Sequence, residues 1–221
     1  MSANATIVRI LRPLSTHRDA KVRERVAKAL ELLEGVDDCP DLIPPRGSYR
    51  DLASYAVSEI VFDATLVFCD RFIERRSRTH DQMVQAARSG KQNIAEGSMA
   101  SGTSKKTELK LVGVARASLE ERRVDYEDFL RTRGLSLWSK THPEAREVRA
   151  LARSRDRSFR TYEGRVKKGS PEIAANTIVC LVHQACFLLD RQLRALQRSF
   201  LEQGGFTERL YRARCAHRQR G

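Results

Sequence analysis

The chain has 221 residues, 41% of them hydrophobic and 31% charged, with a formal net charge of +13 at pH 7. That length supports one good core with appendages. No run approaches the roughly 18 consecutive apolar residues of a membrane span, and MSANATIVRILRPL carries Arg9 and Arg12 early without a long apolar run, so neither a transmembrane helix nor a signal peptide is expected.

Residues 18–34 place Val22, Val26, Leu30 and Leu33 on one stripe. This predicts a short helix stopped by Gly35. Residues 36–48 hold three prolines and a glycine and read as a linker. Residues 49–77 return to helical spacing through Leu52, Ala56, Ile60, Ala64, Val67, Phe68 and Phe72. The segment ends on Arg71, Arg75, Arg76 and Arg78. Cations suit a helix C-terminus, which accounts for two of these four.

A second long helix is predicted over 79–97, opened by Thr79 or His80, with Met83, Ala87, Gly90 and Ile94 on one face. Its small residues let a neighbouring backbone approach. A third is predicted over 103–132, capped by Thr103 or Ser104, with Leu109, Val112, Ala115, Leu119, Tyr126, Phe129 and Leu130 as its stripe. Residues 134–142 break the pattern. From Pro143 a very basic, weakly apolar insert follows, helical to about residue 157. Ser170 and Pro171 open the last long helix, whose broad apolar face runs from Ile178 to Phe200 before Gly204 and Gly205 stop it. No strand pattern and no long internal repeat occurs.

These segments predict an all-α protein, an up-down four-helix bundle with an extra N-terminal helix and a basic helical insert. The expected division is 1–48 for the N-terminal helix and linker, 49–205 for the bundle with its insert at 138–169, and 206–221 for a basic tail.

Motifs for catalysis are thin. There is no glycine-rich phosphate loop, no HExxH and no serine elbow. Cys180, His183 and Cys186 have a spacing that occurs among metal ligands. On a helix, however, the outer two diverge by about 120°. The cysteines read as small buried hydrophobes, and no metal or other cofactor is expected. Asp125, Glu127 and Asp128 read as solvating the third helix or pairing with Arg122, Arg123 and Arg131, rather than as holding a catalytic metal. Five scattered cysteines fit reduced thiols in a cytoplasmic protein.

The net charge favours a polyanion partner, nucleic acid first. The candidate phosphate contacts fall in three groups: Arg71, Arg75, Arg76 and Arg78; Arg88, Lys91, Lys105, Lys106 and Lys110; and Arg153, Arg155, Arg157, Arg160, Lys167 and Lys168 in the insert. Aromatic content is only 6%, so phosphate contact with little sequence specificity is expected rather than base reading. RNA and DNA stay open. A membrane partner is not expected.

Asn93, Glu96 and Gly97 form the oddest cluster. The preferred reading is a polar clasp at a helix turn: Gly97 closes the helix in the left-handed conformation, and Asn93 bonds across to a partner helix. A buried Glu96 would need a partner as well. A ligand-binding or catalytic carboxylate is the competing reading.

QMVQAARSGKQNIAEG, a small-residue turn and TSKKTELKLVGVARASLEERRVDYEDFL together resemble a known four-helix bundle family. It was first noticed in intervening sequences of bacterial large-subunit ribosomal RNA, and it includes the accessory variability determinant proteins of diversity-generating retroelements. Arg88, Ser89, Asn93, Ile94, Ala95, Glu96 and Gly97 carry the motif, and Ala115, Ser118 and Glu121 repeat the pattern. By position in the family, the resemblance implies Ser118 or Arg116 as the partner of Asn93 on the next helix. The resemblance covers roughly residues 50–131 and the last helix, which runs on like the longer members with a C-terminal suffix. It implies a homopentameric barrel, with nucleic acid and a reverse transcriptase as partners. The function expected is a non-enzymatic accessory scaffold of a nucleoprotein complex. The alternatives are a protein-interaction scaffold with no direct nucleic-acid role, or an enzyme with an unrecognised site.

Overall fold

The computed structural model describes residues 3–37, 48–154, 156 and 158–220. All regular structure among them is helical. The chain forms two compact units, residues 1–44 with 210–221, and residues 45–209.

The first unit opens with α1 (Ala3–Leu11), a 3-10 turn (Arg12–Thr16) and α2 (Ala20–Asp37). The sequence pattern does not reveal α1. In α2, Val26 is buried while Val22 and Leu30 are half-buried. Helix α2 runs through Gly35 to Asp37, so that glycine is not the predicted stop. Most of the predicted linker, and Cys39, lie outside the described residues.

In the second unit, α3 (Ala53–Phe72), α4 (Arg78–Ala100) and α5 (Lys105–Thr132) follow one another through short turns. The short helices α6 (Pro143–Leu151) and α7 (Arg160–Lys168) precede α8 (Pro171–Gln203). The helical part of the insert therefore breaks at Leu151 rather than running to about 157. Beyond Gly204, whose φ of +72° is the left-handed conformation glycine tolerates, the predicted tail is helical as α9 (Phe206–Arg220).

Local chemistry explains the starts. Ser77, rather than Thr79 or His80, caps α4 by accepting from the His80 amide at 3.2 Å. Ser104 accepts from the Thr107 amide at 3.1 Å. Ser170 accepts from the Ile173 amide at 3.2 Å, with Pro171 in the first turn of α8. Each hydroxyl satisfies an amide that has no partner within its helix.

Helices α3, α4, α5 and α8 surround one core, with α3 against α4 and α8, and α5 against α4 and α8. Neighbours run antiparallel. Cys69 faces Met83 near one end of the α3–α4 pair, and Glu59 meets Lys91 further along it. Ser54, at the start of α3, donates to Gln192 late in α8 at 2.6 Å. The core joins Val61, Ala64 and Phe68 to Ile94, Val112, Leu119, Ile178, Val182 and Leu189. Phe68 lies at its aromatic centre, with ring centroids 5.0 Å from Tyr126 and 4.8 Å from Phe129. The buried Tyr126 hydroxyl donates to Thr65 Oγ1 at 2.8 Å, and Thr65 donates in turn to the Val61 carbonyl at 2.7 Å.

The insert contributes to this core. Val148, Tyr162 and Val166 are buried in it, and α7 packs on α3 and α8. One stretch within Pro171–Gln219 is long and apolar enough by composition to cross a membrane, but 61% of that stretch is buried inside the structure. The core helix of a globular fold has the same character.

Candidate nucleic-acid interface

The cluster Asn93, Glu96 and Gly97 is a packing arrangement rather than a turn clasp. Helix α4 continues past all three to Ala100, and Gly97 is helical, not left-handed. Asn93 Nδ2 donates to the Ser89 carbonyl at 2.9 Å and to Ser89 Oγ at 3.1 Å, one turn back in the same helix. It makes no bond to Ser118 or Arg116. Arg116 instead donates to Asp190 on α8 at 2.5 Å. Glu96 is exposed and needs no buried partner. What the small residues provide is proximity. A Cβ at Gly97 would stand 3.4 Å from the Glu108 carbonyl oxygen and from Leu111 Cβ, and one at Gly90 would stand 3.1 Å from Leu119.

Two buried charges escape a reading of spacing. Glu108 is 6% exposed, and burial pushes its carboxyl above the usual range although Lys105 Nζ, at 3.4 Å, opposes the shift. The Arg122 side chain is 3% exposed and meets Asp125 at 2.6 Å. Its Nε and Nη1 have no hydrogen-bond partner among the described residues. The sequence offers Arg122, Arg123 and Arg131 as a group of partners for the nearby acids, and the structure pairs Arg122 with Asp125, Arg123 with Glu127 and Arg131 with Asp128. The sequence does not show that Arg122 is interior.

The predicted phosphate contacts divide into occupied and unoccupied cations. Arg71 donates to the Val166 and Gly169 carbonyls and ties α3 to the end of α7. Arg75 pairs with Asp70 at 3.3 Å, although both are exposed. Lys91 meets Glu59 at 3.6 Å and lies over the Phe62 ring. Lys105 serves the buried Glu108, and Lys167 pairs with Glu163. Arg155 and Arg157 lie outside the described residues. Arg76, Arg78, Arg88, Lys106, Lys110, Arg153, Arg160 and Lys168 are exposed. Their side chains have no ion-pair partner among the described residues.

The antiparallel register set by Arg116–Asp190 and by Glu120–Cys186, 3.7 Å apart, extends toward the start of α5. It brings Arg194 and Arg198 of α8 to the level of the first two turns of α5, where Lys106 and Lys110 stand. Both arginines are exposed, and neither has an ion-pair partner among the described residues. Reading α8 for its apolar face passes over them. Their own spacing of four places them on one face of the helix.

No cluster of three or more metal-ligating side chains forms among the described residues. In the run Cys180, His183 and Cys186, Cys186 is buried while His183 faces solvent. Desolvation raises the thiols, Cys69 to about 12 and Cys186 to about 11, and Cys180 in the same direction. Such thiols are poor nucleophiles and poor ligands. Compared with protein-family models, with curated proteins and with solved structures, the chain matches none.

Proposed function

We propose that the protein is a non-enzymatic, cytoplasmic nucleic-acid-binding scaffold that engages phosphates with little regard to sequence. What carries this reading is the set of exposed cations without ion-pair partners among the described residues, at the start of α5 and along the late turns of α8: Lys106, Lys110, Arg194 and Arg198. A solvated helix face commonly pairs its charges, as α5 does further on with Arg123 and Arg131. These four stand on two neighbouring helices. The first turn of α5 adds backbone amides, which also favour phosphate.

The test is binding of one RNA and one DNA duplex across a salt series. The log–log slope should be about −0.7 to −0.9 per phosphate engaged. Replacing Lys106, Lys110, Arg194 and Arg198 together by glutamine should flatten the slope by a similar amount for each phosphate no longer engaged, equally on any sequence. An unchanged slope would move the surface to Arg76 and Arg78 or to the insert. No binding by the wild type at low salt would reject the reading and favour the protein-interaction scaffold.

We further propose that α3, α4, α5 and α8 form a four-helix bundle of the type the motif resembles, assembled as a homopentamer and serving as an accessory to a reverse transcriptase or another nucleoprotein machine. The close approach of α4 and α5 at the motif glycines supports the bundle assignment. Light scattering coupled to gel filtration should give five times the chain mass of 25.1 kDa. A monomer at every concentration would overturn the assembly.

A further inference from the structure

A groove of about 690 Å³ lies on the outer face of α8, between the 137–140 segment and α6. Its volume falls within the range of about 300–1,000 Å³ typical of sites that hold small organic groups. The wall is held in place. The Trp138 amide donates to Asn176 Oδ1 at 2.8 Å, and the Trp138 ring stacks on His142 with centroids 5.0 Å apart and planes 5° from parallel. From the floor, Phe187 presents a ring that is 61% exposed. Beside it, His183 and Gln184 contribute side chains with no hydrogen-bond partner among the described residues.

Cations outnumber carboxylates in the lining of the groove, although Glu172 accepts from the Trp138 ring nitrogen at 3.4 Å. Lys140, Arg149 and Arg153 line it, and the one carboxylate that reaches it, Glu127, is occupied by Arg123. Arg149 donates to the Lys140 carbonyl, which fixes it against the wall. Glu144 and Glu147 of α6 are held by Arg165 and do not neutralise the groove. An exposed ring, two unpaired hydrogen-bonding side chains and a cationic lining together match an aromatic heterocycle linked to phosphates.

We infer that this groove receives an unpaired base of a single-stranded RNA or DNA, stacked on Phe187, with the adjacent phosphates on Lys140, Arg149 and Arg153. The inference rests on the nucleic-acid reading above and adds a preference that phosphate contact alone does not supply. A duplex keeps its base faces stacked inside and cannot offer one to Phe187. A single strand can, and base–aromatic stacking tolerates any sequence.

Trp138 is the only tryptophan in the chain, so its emission reports on this groove. Oligothymidylate and oligouridylate of about ten nucleotides, within the usual length of single-strand sites, should shift that emission and bind more tightly than a blunt duplex at equal phosphate concentration. Phe187→Ala, at an exposed position where circular dichroism can verify the fold, should weaken the single strands about tenfold and leave the duplex unchanged. Arg153→Gln should weaken the single strands and reduce their salt slope. If wild type binds both nucleic acids but Phe187→Ala loses nothing on single strands, the groove assignment is wrong while the phosphate surface stands. If wild type binds neither, the nucleic-acid reading fails first and this one with it. If Phe187→Ala changes the assembly mass in light scattering, a second copy of the chain covers the groove and the inference falls.

Discussion

Asp125→Asn is expected to destabilise the fold by about 3–5 kcal/mol, read as a lower urea midpoint at unchanged slope. The Arg122 guanidinium is 3% exposed, and Asp125 is its sole ion-pair partner among the described residues, at 2.6 Å. An arginine does not escape burial by losing its proton. A neutral asparagine therefore leaves a cation inside without a counter-charge. The pair itself is no large source of stability. Burial holds the Asp125 carboxyl above its usual range even beside Arg122, so desolvation outweighs their attraction. The reverse change should be milder. Arg122→Met leaves a carboxylate that is still 35% exposed, and it removes two donors that have no acceptor. The double variant should regain most of what Asp125→Asn loses, which a double-mutant cycle measures. Equal losses for the two single variants would contradict this account.

The second large effect changes sign with side-chain size at Gly97. Gly97→Ala is expected to raise stability by up to about 1 kcal/mol, since glycine within a helix is disfavoured by that amount. Its methyl would meet the Glu108 carbonyl oxygen, Leu111 and Val112 at 3.4–3.6 Å, which is ordinary contact. Gly97→Leu is expected to cost about 3 kcal/mol, because its further carbons would crowd the Glu108 carbonyl, Leu111 and Val112 of α5. For a chain of this size each kcal/mol moves the melting temperature by roughly 2–4 °C, so thermal unfolding should separate the two variants clearly. A leucine tolerated at wild-type stability would mean that α4 and α5 do not approach there as described.

Helix ends and the apolar stripes were legible in the sequence, and the burial of charged residues was not. Ser104, Ser170 with Pro171, and Gly204 mark helix ends through bonds within a few residues, and each does so in the structure. Gly35 and Gly97 carry the same letter but lie inside helices, because a glycine ends a helix only where the chain must turn. Asn93 shows the same limit. Its amide bonds either back along its own turn or across to a neighbour, and nothing in the residue type distinguishes these. Glu108 and Arg122 are written as charges, so their places on a packed face had no signature. In the insert the i, i+4 pair Tyr162 and Val166 was a usable signal, outweighed by the surrounding arginines and lysines. The occupied cations were hidden for a related reason. Composition counts Arg71 and Lys105 as surplus charge, whereas each is committed to a partner.

The ring of helices closes between its first member and its last. Helices α3, α4 and α5 follow one another directly, so they find each other by short-range search. Helix α8 completes the ring only after about seventy further residues. At roughly 5–20 residues per second, the ribosome needs on the order of 4–14 s to supply them. Throughout that interval α3 lacks α8, which packs against it in the finished fold. Closing the ring also brings together segments more than a hundred residues apart, such as Ser54 and Gln192, and pairings that distant in the chain are slow to find. A chain built in this order keeps apolar surface uncovered until its last long helix leaves the exit tunnel, and such surface invites aggregation.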